Sequence, residues 1–201
     1  MKLNSARLAW HDCAYNESRG GLSSLEQRCL LGTAVQTTER GITADHQVHT
    51  TLAGWIQSAI AKLHPQLRVF GDFMYSPHIT RELTEDIREA AEDVVYGMAV
   101  SRSPRMTRTK KARAEFVVKG VLYRYQYMHQ GGQSANPDPL SKPETFRAWM
   151  FDRHGVRLES CAWGRDWEGF IDTCFDCCAD LDQMALAPIA AVLYDMKKEA
   201  A

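Results

Sequence analysis

The sequence predicts an all-α fold, a helical bundle with a helix-turn-helix-like C-terminal half. Three observations predict it. Apolar residues recur at steps of three, four, seven and eight over several long stretches, which marks one buried helix face. No stretch alternates apolar and polar residues as a half-buried strand does, and no internal repeat or glycine-rich phosphate loop interrupts the pattern. The 201 residues are 45% apolar and 24% charged, an ordinary globular composition with enough material to bury a core without staples. That composition excludes disordered, collagen-like and low-complexity chains.

The elements follow in order. Residues 1–43 carry the weakest pattern: Ser23 or Ser24 can cap a helix containing Leu25, Cys29 and Leu30. From Asp45 to Leu63, apolar residues at Val48, Leu52, Trp55, Ile56, Ala59, Ile60 and Leu63 share one helix face. Thr43 is the expected cap, and His64-Pro65 ends the helix because a proline disfavours helical geometry in the residue before it. A second helix is expected over Glu85–Met98, capped by Thr84, with Ile87, Ala91, Val94, Val95 and Met98 inward and Glu89, Glu92 and Asp93 on a solvated face.

A third helix spans Thr109–His129 and stops at Gly131-Gly132. Val117, Val121, Tyr125 and Met128 form its apolar stripe, widened by Val118 and Leu122, while Phe116, Tyr123 and Tyr127 fall on another face. Asn136-Pro137-Asp138-Pro139 is turn chemistry. Pro143 then opens a short helix carrying Phe146, Trp149 and Met150, which ends at His154-Gly155. A long helix is expected over Cys161–Leu181, with Trp163, Trp167, Phe170, Ile171, Cys174, Cys178 and Leu181 inward. A separate last helix, Met184–Lys198, has Pro188 in its early turns. The chain divides into an N-terminal helical region, 1–83, and a second helical region, 84–201.

The longest nearly apolar run, Met184–Tyr194, is eleven residues, too short to span a bilayer. The first ten residues contain no apolar signal-peptide core. These features lead to the expectation of a soluble cytoplasmic protein. The six cysteines, at 13, 29, 161, 174, 177 and 178, are too few and too scattered for a disulfide framework. Cys174 and Cys177 form one CxxC pair, but a structural zinc site needs a second pair, so no metal is expected.

Few residues suggest catalysis. His11-Asp12-Cys13 places three reactive types in a row, but neighbours in regular structure do not converge. His46 and His49 share a helix face at a spacing that can bind a metal, and with His11 they would define a metal-dependent enzyme; no third ligand is evident. The carboxylate pairs Glu85/Asp86 and Glu92/Asp93 lack the apolar surroundings that shift pKa values. The sequence therefore points away from an enzyme, with no catalytic residue and no cofactor.

The charge distribution points to binding. The net charge is −1, yet residues 101–130 hold eight basic residues against Glu115 alone, a net of +7 that leaves −8 on the rest. The strip comprises Arg102, Arg105, Arg108, Lys110, Lys111, Arg113, Lys119 and Arg124. Such a cluster on an acidic body suits a phosphate backbone, which supplies affinity without sequence choice. A helix at Pro143–Arg153, a turn at Gly155-Val156-Arg157-Leu158 and a helix beginning near Ser160 would make a helix-turn-helix, with Arg147, Arg153, Arg157 and Arg165 along its outer face.

Thr109-Lys110-Lys111-Ala112-Arg113 leads into a tyrosine-bearing helix, followed by Thr145-Phe146-Arg147-Ala148 and by Trp163-Gly164-Arg165 with Phe170 and Cys174. In this order, over roughly Thr84–Leu193, the chain resembles the lambda-type Q late-gene antitermination proteins of phages and their relatives in Pseudomonas prophages, including the AlpA type of lysis regulator. One departure is clear: those lambda-type proteins carry a zinc-binding insertion with two cysteine pairs, whereas Gln130–Lys142 contains no cysteine, so zinc is not carried over. The resemblance implies a protein that binds double-stranded DNA near a promoter and loads onto a paused RNA polymerase that still holds sigma. It would then travel with the enzyme, touching nascent RNA at the exit channel and suppressing pausing and termination. The acidic stretches Glu85–Asp93 and Asp172–Asp182 would remain for the protein partner. The alternative is a helix-turn-helix regulator that binds a promoter without travelling.

Overall fold

The structure, a computed structural model, describes residues 5–19, 44–77, 81–129, 136–161 and 163–199. The helices are α1 (Ala6–Arg19), α2 (Ala44–Ala61), α3 (Pro65–Tyr75), α4 (Arg81–Arg102), α5 (Arg108–His129), α6 (Pro143–His154) and α7 (Gly169–Glu199), with a π-helical turn, Gly164–Glu168, leading into α7. Among the described residues there is no strand. The expected all-α helical bundle is what forms. The chain forms two compact units: the described residues of 1–63, 75–77 and 186–201, and those of 64–74 and 78–185. The second unit thus begins ahead of residue 84, and the first includes the C-terminal turns of α7.

In the first unit α1 packs on α2. Trp10 is fully buried, donates its indole N–H to Ser76 Oγ at 3.3 Å and tilts against Tyr75. Gln57 Nε2 donates to the Cys13 carbonyl at 3.0 Å, tying the two helices. Leu52, Ala53, Ile56 and Ile60 are buried, but Trp55 is 47% exposed. The buried face is therefore rotated toward Ala53, and the tryptophan expected inside lies outside. The expected caps Thr43, Ser23 and Ser24, and the helix around Cys29, lie outside the described residues.

In the second unit α5 is the central helix. Val117, Val118, Val121 and Leu122 are all buried, the widened apolar stripe expected from the sequence, while Tyr123 and Tyr127 of the other face are exposed. Thr107 begins α5, its hydroxyl accepting the Lys110 N–H. Gly120 marks the closest approach of α5 to α6. A Cβ there would stand 2.7 Å from the Phe146 ring, so the glycine is required by packing. Gln126 of α5 donates to the Phe73 carbonyl at 3.0 Å, and Phe70 tilts against Tyr125, which fixes α3 to α5. Helix α6 starts at Pro143 and ends at Gly155, whose φ of 66° is the left-handed cap that favours glycine.

Several expectations are corrected. Helix α4 begins at Arg81, so Thr84 lies within it and is not its cap. The expected break between Leu181 and Met184 is absent: α7 runs unbroken with Pro188 inside it. No breaker stands at 181–184, Asp182 is buried and accepts a hydrogen bond from the Tyr125 hydroxyl at 3.3 Å, and Ile189 and Leu193 bury the continuing face. The joined helix, Gly164–Lys198, is long enough to cross a bilayer and contains an 18-residue stretch of mean hydropathy 1.3, which the shorter run had excluded. Cys174, Cys177, Cys178, Leu181 and Ala185 of this helix are core residues, and 39% of the apolar stretch is buried. The connector from α6 to the next helix, Gly155–Cys161, is longer than the three or four residues of a helix-turn-helix turn.

Candidate nucleic-acid interface

The turn after α4 places the basic strip. Ser103 accepts the Met106 N–H through its carbonyl, and Pro104-Arg105 form the bend that brings the chain into α5. Opposite stands the π-helical turn at Gly164–Glu168. Between them lies an open cleft of about 670 Å³. Its floor is apolar, made by Met106, Trp167 and Phe170, and its rim carries Arg105, Lys110, Arg113 and Arg165. Two carboxylates, Glu159 and Asp166, stand among these four cations. The cleft therefore keeps a positive balance.

The cations differ in how far the protein engages them. Among the described residues, Arg105, Arg108, Lys110 and Lys111 meet no carboxylate within 4 Å. Lys110 Nζ lies 5.2 Å above the Trp167 ring, a cation–π contact that aims the ammonium along the cleft. Arg113 Nη1 lies 4.0 Å from Glu159 Oε1, both exposed, a pair of little strength. Arg165 is 80% exposed and bonds Asp166 at 3.1 Å. That hydrogen bond holds the Asp166 carboxyl below the ordinary carboxylate range.

Other residues of the strip lie elsewhere. Arg102 is bonded to Asp180 at 2.8 Å. Lys119 lies 3.4 Å from Glu92, away from the cleft. Arg124 is buried and grips Asp138 through Nε and Nη2. The four arginines expected along one outer face do not converge. Arg165 lines the cleft, Arg153 lines a smaller cavity, Arg157 lies 4.9 Å from the Phe151 ring, and Arg147 bends back to the Pro143 carbonyl and Glu144. Sequence reasoning treated Trp167 as core alone. It is 4% exposed, yet it also floors the cleft, and its link to Lys110 spans 57 positions with no local signal.

The acidic faces are also corrected. Glu92 does not stand on a wet surface: its side chain is 12% exposed, and it meets Lys119 at 3.4 Å and Arg88 at 3.6 Å. Burial pushes its carboxyl above the ordinary carboxylate range against the pull of both cations. In the other acidic stretch, Asp182 is buried and Asp180 is engaged by Arg102, leaving Asp172 and Asp176 exposed.

The reactive residues do not assemble. His11 Nδ1 lies 3.5 Å from Asp12, but Cys13 is buried and its thiol donates to the Trp10 carbonyl. The side chains of His46 and His49 lie outside the described residues. Among the described residues no group of three or more His, Cys, Asp or Glu is placed to hold a metal ion. Burial pushes the thiols of Cys174, Cys177 and Cys178 upward, so they stay protonated as small apolar core groups.

His154 lies between Phe116 and Trp149, its ring centroid 5.6 and 5.2 Å from theirs, and burial together with Lys119, Arg153 and Arg88 holds its pKa below 6.5. The folded state therefore binds this proton less readily than the unfolded chain. Its contribution is complete above pH 6.5 and is lost as pH falls through the depressed folded value. His154→Phe is expected to flatten the acid-side slope of stability by up to about 1.4 kcal/mol per pH unit. Urea midpoints taken at about pH 7.5 and about pH 5.5 check it; an unchanged slope contradicts the assignment.

No family model matches the chain, and no curated protein or solved structure is detectably similar to it.

Proposed function

We propose that the chain is a DNA-binding transcription antitermination factor of the cytoplasm, which loads onto RNA polymerase paused near a promoter and suppresses pausing and termination. One observation carries the reading. Arg105, Lys110, Arg113 and Arg165 converge on a cleft, and among the described residues Arg105, Arg108, Lys110 and Lys111 meet no carboxylate within 4 Å. Phosphates supply the missing counter-charge, and the apolar floor at Trp167 lets sugar and backbone lie close. Arg165, exposed on the rim of the cleft, would stand at the base edges. Exposed Asp172, Asp176, Glu85 and Glu89 would face the polymerase. The resemblance of residues 84–193 to lambda-type Q proteins supplies the polymerase part of the reading.

The test is transcription from the gene's own promoter region through an intrinsic terminator. Added protein is expected to raise read-through, and alanine at Arg105, Lys110 and Arg113 together to abolish the gain. No gain with the unaltered chain overturns antitermination. If specific duplex binding persists in that case, the protein is a promoter-bound regulator that does not travel.

A further inference from the structure

A second cavity, of about 270 Å³, opens within the larger unit where α4, α5 and α6 meet. Arg88 and Glu92 enter it from α4, Lys119 and Tyr123 from α5, and Trp149 and Arg153 from α6. Glu92 is shared by Lys119 and Arg88, while Arg153 meets no carboxylate within 4 Å among the described residues. Three cations against one carboxylate leave this small space positive.

An aromatic shelf borders the cations. Trp149 stacks on Tyr123 with ring centroids 5.3 Å apart and planes 19° from parallel, and Tyr127 continues the row at 6.5 Å. Tyr123 is 42% exposed, although α5 has ample buried positions for its apolar residues. A third feature is the His154 Nε2, which is buried at this cavity with no hydrogen-bond partner, the one such side-chain atom among the described residues. Buried polar atoms are almost always paired, so an orphan marks a place where a partner is missing.

Aromatic rings beside arginines and an unpartnered imidazole nitrogen complement one chemical object, a heterocyclic base carrying a phosphate. We propose that this cavity binds an unpaired nucleotide, its base against the Tyr123–Trp149 shelf, its phosphate on Arg153 and Arg88, and its base-edge donors toward Glu92. Stacking is indifferent to which base is present, because every base offers a π face. The arginine forks match phosphate oxygens in a way an isolated charge does not. The cavity is too small for a duplex, so the ligand is either a free mononucleotide or an unpaired position in a strand. The site shares no residue with the cleft at Arg105 and does not rest on that reading.

The probes are AMP, adenosine, inorganic phosphate and a single-stranded oligodeoxyadenylate of about eight nucleotides, titrated into the full chain by calorimetry. AMP is expected to saturate, with adenosine and phosphate each at least about tenfold weaker because each offers half of the ligand. Tyr123→Ala and Arg153→Ala, both at exposed positions, are each expected to weaken AMP about tenfold or more. Duplex binding should be unchanged in Tyr123→Ala. Oligonucleotide binding that is tighter than AMP and is weakened by Tyr123→Ala assigns the site to a strand; binding that is equal, weaker or indifferent to Tyr123→Ala assigns it to a free nucleotide. The proposal is overturned by any of three results: neither AMP nor oligonucleotide saturates, inorganic phosphate binds as well as AMP, or Tyr123→Ala leaves AMP affinity intact.

Discussion

Arg124→Ala is expected to destabilise the larger unit by about 3–5 kcal/mol, the cost of removing one partner from a buried ion pair. The arginine is 9% exposed. Its Nε donates to both Asp138 oxygens, at 3.0 and 3.1 Å, and Nη2 donates to Oδ2. Asp138 Oδ1 also accepts the Leu140 N–H at 2.9 Å, so one carboxylate ties the approach to α6 onto α5. Burial disfavours the carboxylate, but the hydrogen bonds from Arg124 and Leu140 and the guanidinium charge outweigh it and hold Asp138 below its ordinary range. The contribution of that carboxylate is therefore present above pH 3.8 and is lost as pH falls through its depressed value. The guanidinium also lies 4.7 Å from the Phe175 ring and 5.5 Å from Phe146, so alanine removes packing against α6 and α7 as well as charge. Against a typical total of roughly 5–15 kcal/mol such a loss moves the urea midpoint far. Arg124→Lys is not expected to restore it, since an ammonium cannot reproduce the fork. Arg124→Met with Asp138→Asn is expected to recover part of the loss, because no charge is then left buried alone. A midpoint unchanged in Arg124→Ala contradicts the role assigned to this pair.

Arg124 also shows what the sequence can and cannot tell. By composition it is one more basic residue in a strip, identical in kind to Arg105 and Arg108. Only the return of residues 136–140 alongside α5 gives it a carboxylate, and that return has no local signature. Periodicity did reveal α5, α6 and the stripe from Trp163 to Leu181, because a face buried over many turns writes itself into the spacing. It misplaced Trp55 and Glu92 for the same reason that it works elsewhere: helical spacing defines faces but not which neighbours cover them. Trp55 shares a face with Leu52 yet is left exposed, and Glu92 shares a polar face with Glu89 yet points at Lys119. Helices α1 and α3 were not read at all. In the first, of 14 residues, most of the apolar residues are small (Ala6, Ala9, Cys13 and Ala14), and the second is 11 residues long, begins at the proline that ends its predecessor, and has Gly71 inside. Of the candidate cleft, the cations of one wall were legible as a charge run. On the facing wall Arg165 was legible as an outer-face cation, but Trp167 was visible only as part of a core stripe.

Simultaneous replacement of Arg105, Lys110 and Arg113 by alanine is expected to have the largest functional effect. Each phosphate contact to a duplex contributes about 0.9 to the slope of log affinity against log salt, so losing three flattens the slope by up to about 2.7. The loss should be the same for any duplex sequence, because these side chains stand where a backbone would lie and carry no base readout. Arg165→Ala should behave differently. If its exposed guanidinium reaches a base edge, the cost is about 1–3 kcal/mol at one base position and small elsewhere, with little change in slope. Arg147→Ala serves as the control, since its guanidinium is turned back onto the Pro143 carbonyl and Glu144 and it lies outside the cleft. Binding isotherms at about 50 and about 200 mM salt separate these cases, because a phosphate grip weakens steeply over that range and an uncharged contact does not. The measurement also weighs Trp167. A floor that places sugars near the four cations predicts that Trp167→Phe, which keeps an apolar floor under Lys110, retains the full slope. If the triple variant keeps the slope of the unaltered chain, the exposed cations at the start of α5 do not hold a phosphate backbone, and the positive cleft must serve another anion.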